Sequence, residues 1–164
     1  VVAVSLKKKK QNKNKKELLN EIVQSYHAMF REVLKASFEK QNTSEIAEKA
    51  SRALFQKYRF HHEMLFEVIA IAGHDPEIKQ SLKLEYEKDT KLLEEFIIKQ
   101  REMGYFKTKI EPNTLAQLNI ALYLGMAMKV IMGDDSAEIQ RIWSNAIEAM
   151  ISPGNNNKTQ LPTS

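Results

Sequence analysis

Few residues in this sequence could carry chemistry. Cysteine is absent from the 164 residues. That removes disulfides, thiolate metal sites and a cysteine nucleophile, and it fits a reducing compartment such as the cytoplasm. Four histidines remain: His27, His61, His62 and His74. A di-iron carboxylate bundle needs Glu three residues before a His, so that both ligands share a helix face. Those positions hold Gln24, Tyr58, Arg59 and Ile71. His61 and His62 are adjacent rather than four apart, so they do not present two imidazoles on one face. One is expected inward and the other exposed, with His61 the inward one. No phosphate loop or nucleophile elbow occurs. The expectation is no enzyme, no metal and no cofactor.

Other polar residues stand out because apolar ones are due at their positions. Between residues 76 and 103 a stripe of helical spacing runs Leu82, Tyr86, Asp89, Leu93, Phe96, Gln100, Met103. A buried carboxylate is costly unless paired or wet. Asp89, with Thr90 beside it, therefore fits the polar wall of a cavity. A stripe rotated toward Leu92, Ile97 and Ile98 leaves Asp89 in solvent instead. Tyr26, His27 and Phe30 lie on or beside the inward face of an earlier helix, as do His61 and Met64 on another. Asn119 and Tyr123 stand four apart on a later one. The candidate ligand-binding set is Tyr26, Phe30, His61, Met64, Tyr86, Asp89, Thr90, Asn119 and Tyr123. Apolar walls with a few convergent polar groups suit a small hydrophobic or amphipathic effector. The plainer reading makes each aromatic and Met ordinary core.

The elements that position these residues are helices. Gly and Pro number only 5 and 4, and they punctuate a chain rich in Leu, Ile, Lys, Glu, Gln and Ala, which favour helix. A first helix is expected over about residues 15–40. A second covers about 44–57, capped by Thr43 or Ser44, and a third covers about 59–72 with Phe60, Met64, Leu65, Val68 and Ile69 inward. Asp75-Pro76-Glu77 starts a fourth, residues 76–103, through an N-cap, a proline at the first position and an acid in the first turn. Pro112 opens a fifth, residues 112–132. Asp134 or Asp135 caps a sixth, residues 136–151. The predicted class is all-α, with one domain at 15–152 and a disordered tail expected at 153–164.

The charge is uneven. Residues 1–16 hold seven Lys and no acid, leaving the rest with 18 basic against 21 acidic residues. Residues 1–14 are expected to be a disordered arm, because like charges repel and nothing apolar follows them. The arm could touch phosphates of nucleic acid or lipid with little sequence preference, or simply be a solvated tail.

The last two helices carry the widest apolar surface. From Leu118 to Met132 the fifth is apolar nearly all round, which calls for burial on every side. The run is shorter than the roughly 20 residues of a membrane span, so no membrane partner is expected. A homodimer is expected, through a four-helix interface of paired copies. Its residues are Leu118, Leu122, Gly125, Met126 and Lys129 on the fifth helix, with Ile139, Ile142, Trp143, Ala146, Ile147 and Met150 on the sixth. The alternative is a central helix in a monomeric bundle.

The order of these features resembles one family. Lys13-Asn14-Lys15-Lys16-Glu17-Leu18-Leu19 is similar to the start of the long linking helix of TetR-family regulators. His74-Asp75-Pro76-Glu77-Ile78, Met103-Gly104-Tyr105-Phe106, Pro112 and the Leu122-x-x-Gly125 helix are similar to their regulatory core. The resemblance covers about residues 13–151. It implies a six-helix C-terminal regulatory domain that dimerises through its last two helices and binds an effector. Ahead of the linking helix, family members carry a three-helix DNA-reading unit of about 45 residues. Here Gln11-Asn12 replaces the expected aromatic pair, and DNA would be reached only through that missing N-terminal unit. A rival reading is a helical protein-interaction module with no small-molecule cavity.

Overall fold

The computed structural model describes the backbone of residues 2–38, 50–57 and 59–152; side chains are described for 15–36, 50–55 and 60–152. The described residues are helical, with no strand among them. Five α-helices are defined: α1 (Val2–Phe38), α2 (Arg59–Ala72), α3 (Pro76–Glu102), α4 (Pro112–Ile131) and α5 (Ser136–Ile151). A π-helical turn, Ala53–Lys57, precedes α2. Residues 50–52, which are α-helical, and this turn are what the described residues retain of the expected second helix, whose Thr43 or Ser44 cap lies outside them. The tail from residue 153 lies outside them too.

One boundary differs from the sequence reading. Helical backbone begins at Val2, not near Lys15. Lysine is a good helix former, and extending an existing helix avoids the unfavourable nucleation step. Like-charge repulsion along residues 7–16 is too weak to outweigh this in a helix already seeded by its packed half.

The helix ends follow their local chemistry. Asp75 is extended (φ −121°) and accepts hydrogen bonds from the Glu77 and Ile78 amides at 3.0 and 3.3 Å, with Pro76 opening α3. Asp135 does the same for Ala137 at 3.0 Å. Gly104 and Gly133 follow α3 and α4 with φ of +80° and +103°, where a side chain would strain the backbone. Between α3 and α4, Phe106 is buried beside Phe96. The Lys107 and Thr108 amides donate to the Ile151 carbonyl at 3.0 and 3.1 Å, which pins the end of α5.

Helix α3 is the hub, packing on α1, α2 and α4, while α5 packs on α4 and the π turn. The buried positions of α3 are Ile78, Leu82, Glu85, Asp89, Leu93, Ile97 and Gln100. The stripe therefore includes Asp89, and the rotated alternative fails at Ile98, which is exposed, as is Met103. On α2, Leu65 and Val68 are buried but Phe60 is 66% exposed, against expectation.

At 20 residues, α4 is long and apolar enough to cross a membrane by length and composition alone. The length argument from the shorter Leu118–Met132 run therefore does not hold. In this fold one side of α4 is built into the bundle through Leu115, Ala116, Ile120, Tyr123, Ala127 and Val130.

Candidate functional site

The interior junction of α1, α2, α3 and α4 holds two linked polar groups. The first is a chain of neutral hydrogen bonds. The Tyr26 hydroxyl of α1 donates to the Tyr123 hydroxyl of α4 at 2.9 Å. The Tyr123 hydroxyl lies 2.5 Å from His62 Nε2 of α2. Phe30 stacks on the Tyr123 ring at 5.2 Å, and Phe55 of the π turn closes another side at 5.6 Å. Burial pushes the His62 ring down to about 4, helped by the neighbouring His61. It pushes both phenols up, with further upward effects from nearby tyrosines and Asp89. All three groups are thus neutral near pH 7. The Tyr123 hydroxyl and His62 Nε2 share one proton between them, with donor and acceptor set by the tautomer of the ring.

The second group is ionic and ties α1 to α3. Arg31 donates through Nη1 to Asp89 Oδ1 at 2.8 Å and through Nη2 to Glu85 Oε2 at 2.9 Å. His27 Nδ1 meets the other Asp89 oxygen at 2.5 Å. Lys88 holds the second Glu85 oxygen at 2.6 Å. The geometry is a register match: His27 and Arg31 are four apart on α1, and Glu85 and Asp89 four apart on α3, so the two pairs face each other. For Glu85 burial acts upward, but hydrogen bonds from Lys88 and Arg31 outweigh it and hold the carboxyl below its usual range. Such a cluster adds little net stability over an apolar one, but breaking it strands a buried charge.

These groups meet at Tyr26 and Tyr86. The Tyr26 ring lies edge-on to His27 at 5.2 Å and to His62 at 6.2 Å; Tyr86 lies edge-on to His27 at 4.8 Å. Burial raises the Tyr86 hydroxyl, with Asp89 adding to the effect. Tyr26 also lines a cleft of about 250 Å³ between α1 and α2. Ile22 and Met64 give the cleft apolar walls, and Glu21, Ser25 and His61 add polar groups.

The structure thus brings Tyr26, Phe30 and Tyr123 into direct contact, with Tyr86 and Asp89 joined to them through His27. His61 and Met64 meet Tyr26 at the cleft rather than inside, and the inward histidine is His62, fully buried. The choice between adjacent histidines turned on a rotation of α2 that periodicity over 14 residues does not resolve. Thr90 does not face the junction; its hydroxyl donates to the Tyr86 carbonyl of its own helix at 2.8 Å. Asn119 is half-buried, one turn before Tyr123. Arg31 and Glu85 were missed, although matched charges four apart on two packed helices were a usable signal.

On the outer side of α4 and α5 the expected partner face divides. Leu118, Gly125 and Lys129 are exposed, and Leu122, Met126, Ile142, Ala146 and Met150 are half-buried. Met128 and Met132 extend the open apolar surface. Ile139, Trp143 and Ile147 face inward and complete this subunit's own core, so they are corrected out of the partner face. The reason is that α5 buries its stripe every four residues from Ile139. No Cβ placed on Gly125 would meet a neighbour within 4 Å. Lys129 pairs with Asp134 at 2.5 Å in the same subunit.

No protein-family model and no curated protein matches the sequence. Among solved structures, the chain is similar to a Rhodococcus sp. protein described as a candidate TetR-family transcriptional regulator. The two share 13% identity with a TM-score of 0.73, over 82% of this chain and 74% of that one. At that identity the likeness is one of fold.

Proposed function

We propose that this chain is the effector-binding, homodimerising core of a TetR-like transcriptional regulator. The observation that carries the reading is the TetR-like arrangement of its helices. The polar junction at Tyr26 supports it, because a helix bundle needing only stability gains little from buried histidines and carboxylates. An effector held between α1, α2, α3 and α4 favours one angle of α1 over others, a population shift coupled to ligand binding. In a regulator of this kind the angle of α1 is what would be passed to a DNA-reading unit. The setting is the cytoplasm, and the role is regulatory rather than enzymatic.

The dimer forms through Leu118, Leu122, Gly125, Met126 and Lys129 of α4 and Ile142, Ala146 and Met150 of α5. Open apolar residues on both helices support it, since a contiguous apolar patch rimmed by polar groups marks an association surface. Native mass spectrometry of the purified protein tests both halves. The expected spectrum is a dimer carrying a co-purified small molecule. A monomer with nothing bound favours the helical interaction module instead.

A further inference from the structure

The cleft of about 250 Å³ between α1 and α2 differs in its electrostatics from the junction beside it. On α1, Leu18 is followed three and four residues later by Glu21 and Ile22, and Ser25 comes four and three after these. The four therefore share one helix face, and all four line the cleft. Met64 lines it from α2, and Tyr26 is the one buried residue in its wall. At roughly 30 Å³ per water-sized group, its 250 Å³ holds about eight such groups.

Inside the junction the carboxylates are matched: Arg31 and His27 hold Asp89, and Arg31 and Lys88 hold Glu85. Glu21 is different. Among the described residues it enters no salt bridge and no hydrogen bond, and no lysine or arginine lines the cleft. An exposed glutamate on a helix is ordinary by itself. Here it stands beside apolar walls made by Leu18, Ile22 and Met64, with the Ser25 hydroxyl one turn away. A carboxylate and a hydroxyl oxygen both accept hydrogen bonds, and the carboxylate does so most strongly from a charged donor.

We infer that the α1–α2 cleft takes a small organic monocation, with its ammonium head against Glu21 and Ser25 and a short apolar body against Leu18, Ile22, Met64 and the Tyr26 ring. This rests on the effector-binding reading above and narrows its ligand to one charge class. An anion of the same size meets a like charge at Glu21 with no basic residue to offset it. A body lodged in the cleft touches α1 and α2 together. Through Tyr26, whose hydroxyl bonds Tyr123 at 2.9 Å, it also bears on α4.

Three six-carbon probes test this by isothermal titration: hexylammonium, 1-hexanol and hexanoate. At low ionic strength the cation should bind about fivefold more tightly than the alcohol and more tightly still than the anion, a gap that narrows as salt is added. Glu21→Gln keeps the length of an exposed side chain, so the fold should survive, as circular dichroism would verify. That variant should weaken hexylammonium about fivefold and leave 1-hexanol unchanged. Ser25→Trp fills the cleft and should weaken the cation and the alcohol alike. Equal binding of the three probes, preference for hexanoate, or indifference of the cation to both substitutions overturns the inference and leaves effector binding standing. The same holds if no probe binds while native mass spectrometry shows a co-purified neutral or anionic molecule. A protein that binds none of the probes and purifies with nothing bound loses both readings.

Discussion

The junction around Tyr26 and the outer side of α4 depart from ordinary bundle economy in opposite directions. The junction buries charge: Asp89 is 1% exposed, within the helix that forms the hub of the fold. The outer side exposes oil: Leu118 is 45% exposed, Met128 47% and Met132 69%. Inside, each charge finds its opposite within one chain. Outside, these apolar side chains stay open among the described residues. The contrast separates what one subunit completes by itself from the face that the proposed dimer would use. Substitutions in the junction should therefore change stability and ligand binding, and substitutions on the outer side should change association alone.

The largest effect is expected from Arg31→Leu. It leaves Asp89 with His27 alone and Glu85 with Lys88 alone. Removing one partner of a buried ionic group costs about 3 kcal/mol or somewhat more, read as a lower urea midpoint. Arg31→Lys keeps the charge but cannot bridge both carboxylates, so it should fall between wild type and Arg31→Leu. If Arg31→Leu leaves the midpoint unchanged, α1 is held by apolar packing and the ionic pairs are incidental.

Next comes acid. The folded protein holds His62 at about 4, below its ordinary value of 6.5. The unfolded chain therefore binds the extra proton first. The stability from neutral His62 is complete above about pH 6.5 and is lost as pH falls toward 4. Between pH 7.5 and 4.5 the loss should be about 2 to 3 kcal/mol. Carboxylates also titrate over part of this range, so His62→Gln supplies the baseline. Its pH slope should be shallower by about that amount. Equal slopes would place the acid sensitivity on other groups.

On the other side of the comparison, Gly125→Glu tests the outer face. A Cβ there meets nothing inside the subunit, so monomer stability should stay within about 0.5 kcal/mol. Self-association should weaken at least about thirtyfold, or about 2 kcal/mol, measured by light scattering across a dilution series. An undiminished dimer would move the interface off α4.

Much of this was readable in the sequence, for reasons that differ by feature. The ends of α3, α4 and α5 depend on local chemistry at Asp75, Pro76, Gly104, Pro112, Gly133 and Asp135, so they could be placed almost to the residue. The stripe through Asp89 was readable too, because a carboxylate in an apolar row is conspicuous. What stayed hidden depends on contacts distant in sequence. That Arg31 faces Asp89 requires knowing that α1 and α3 pack in that register. That His62 rather than His61 turns inward requires the rotation of α2. Trp143 shows the same gap: periodicity places it with Ile139 and Ile147, but whether that stripe meets its own subunit or a partner is decided by the tertiary fold.

The smallest effect sharpens the inner side of the comparison. The Tyr123 hydroxyl accepts from Tyr26 and serves His62, so Tyr123→Phe leaves two buried groups short of a partner while preserving the ring between Phe30 and Phe55. The expected loss is about 1 to 2 kcal/mol. Tyr26→Phe removes only the donor at the end of the chain, and Tyr123 can still bond His62, so it should cost less. If the hydroxyls act through each other, the double variant should cost less than the sum of the two. The coupling is expected to be about 1 kcal/mol from a double-mutant cycle in urea. Strict additivity would mean that the 2.9 Å contact between the two hydroxyls contributes nothing. The junction would then be held by its rings and its ionic pairs alone.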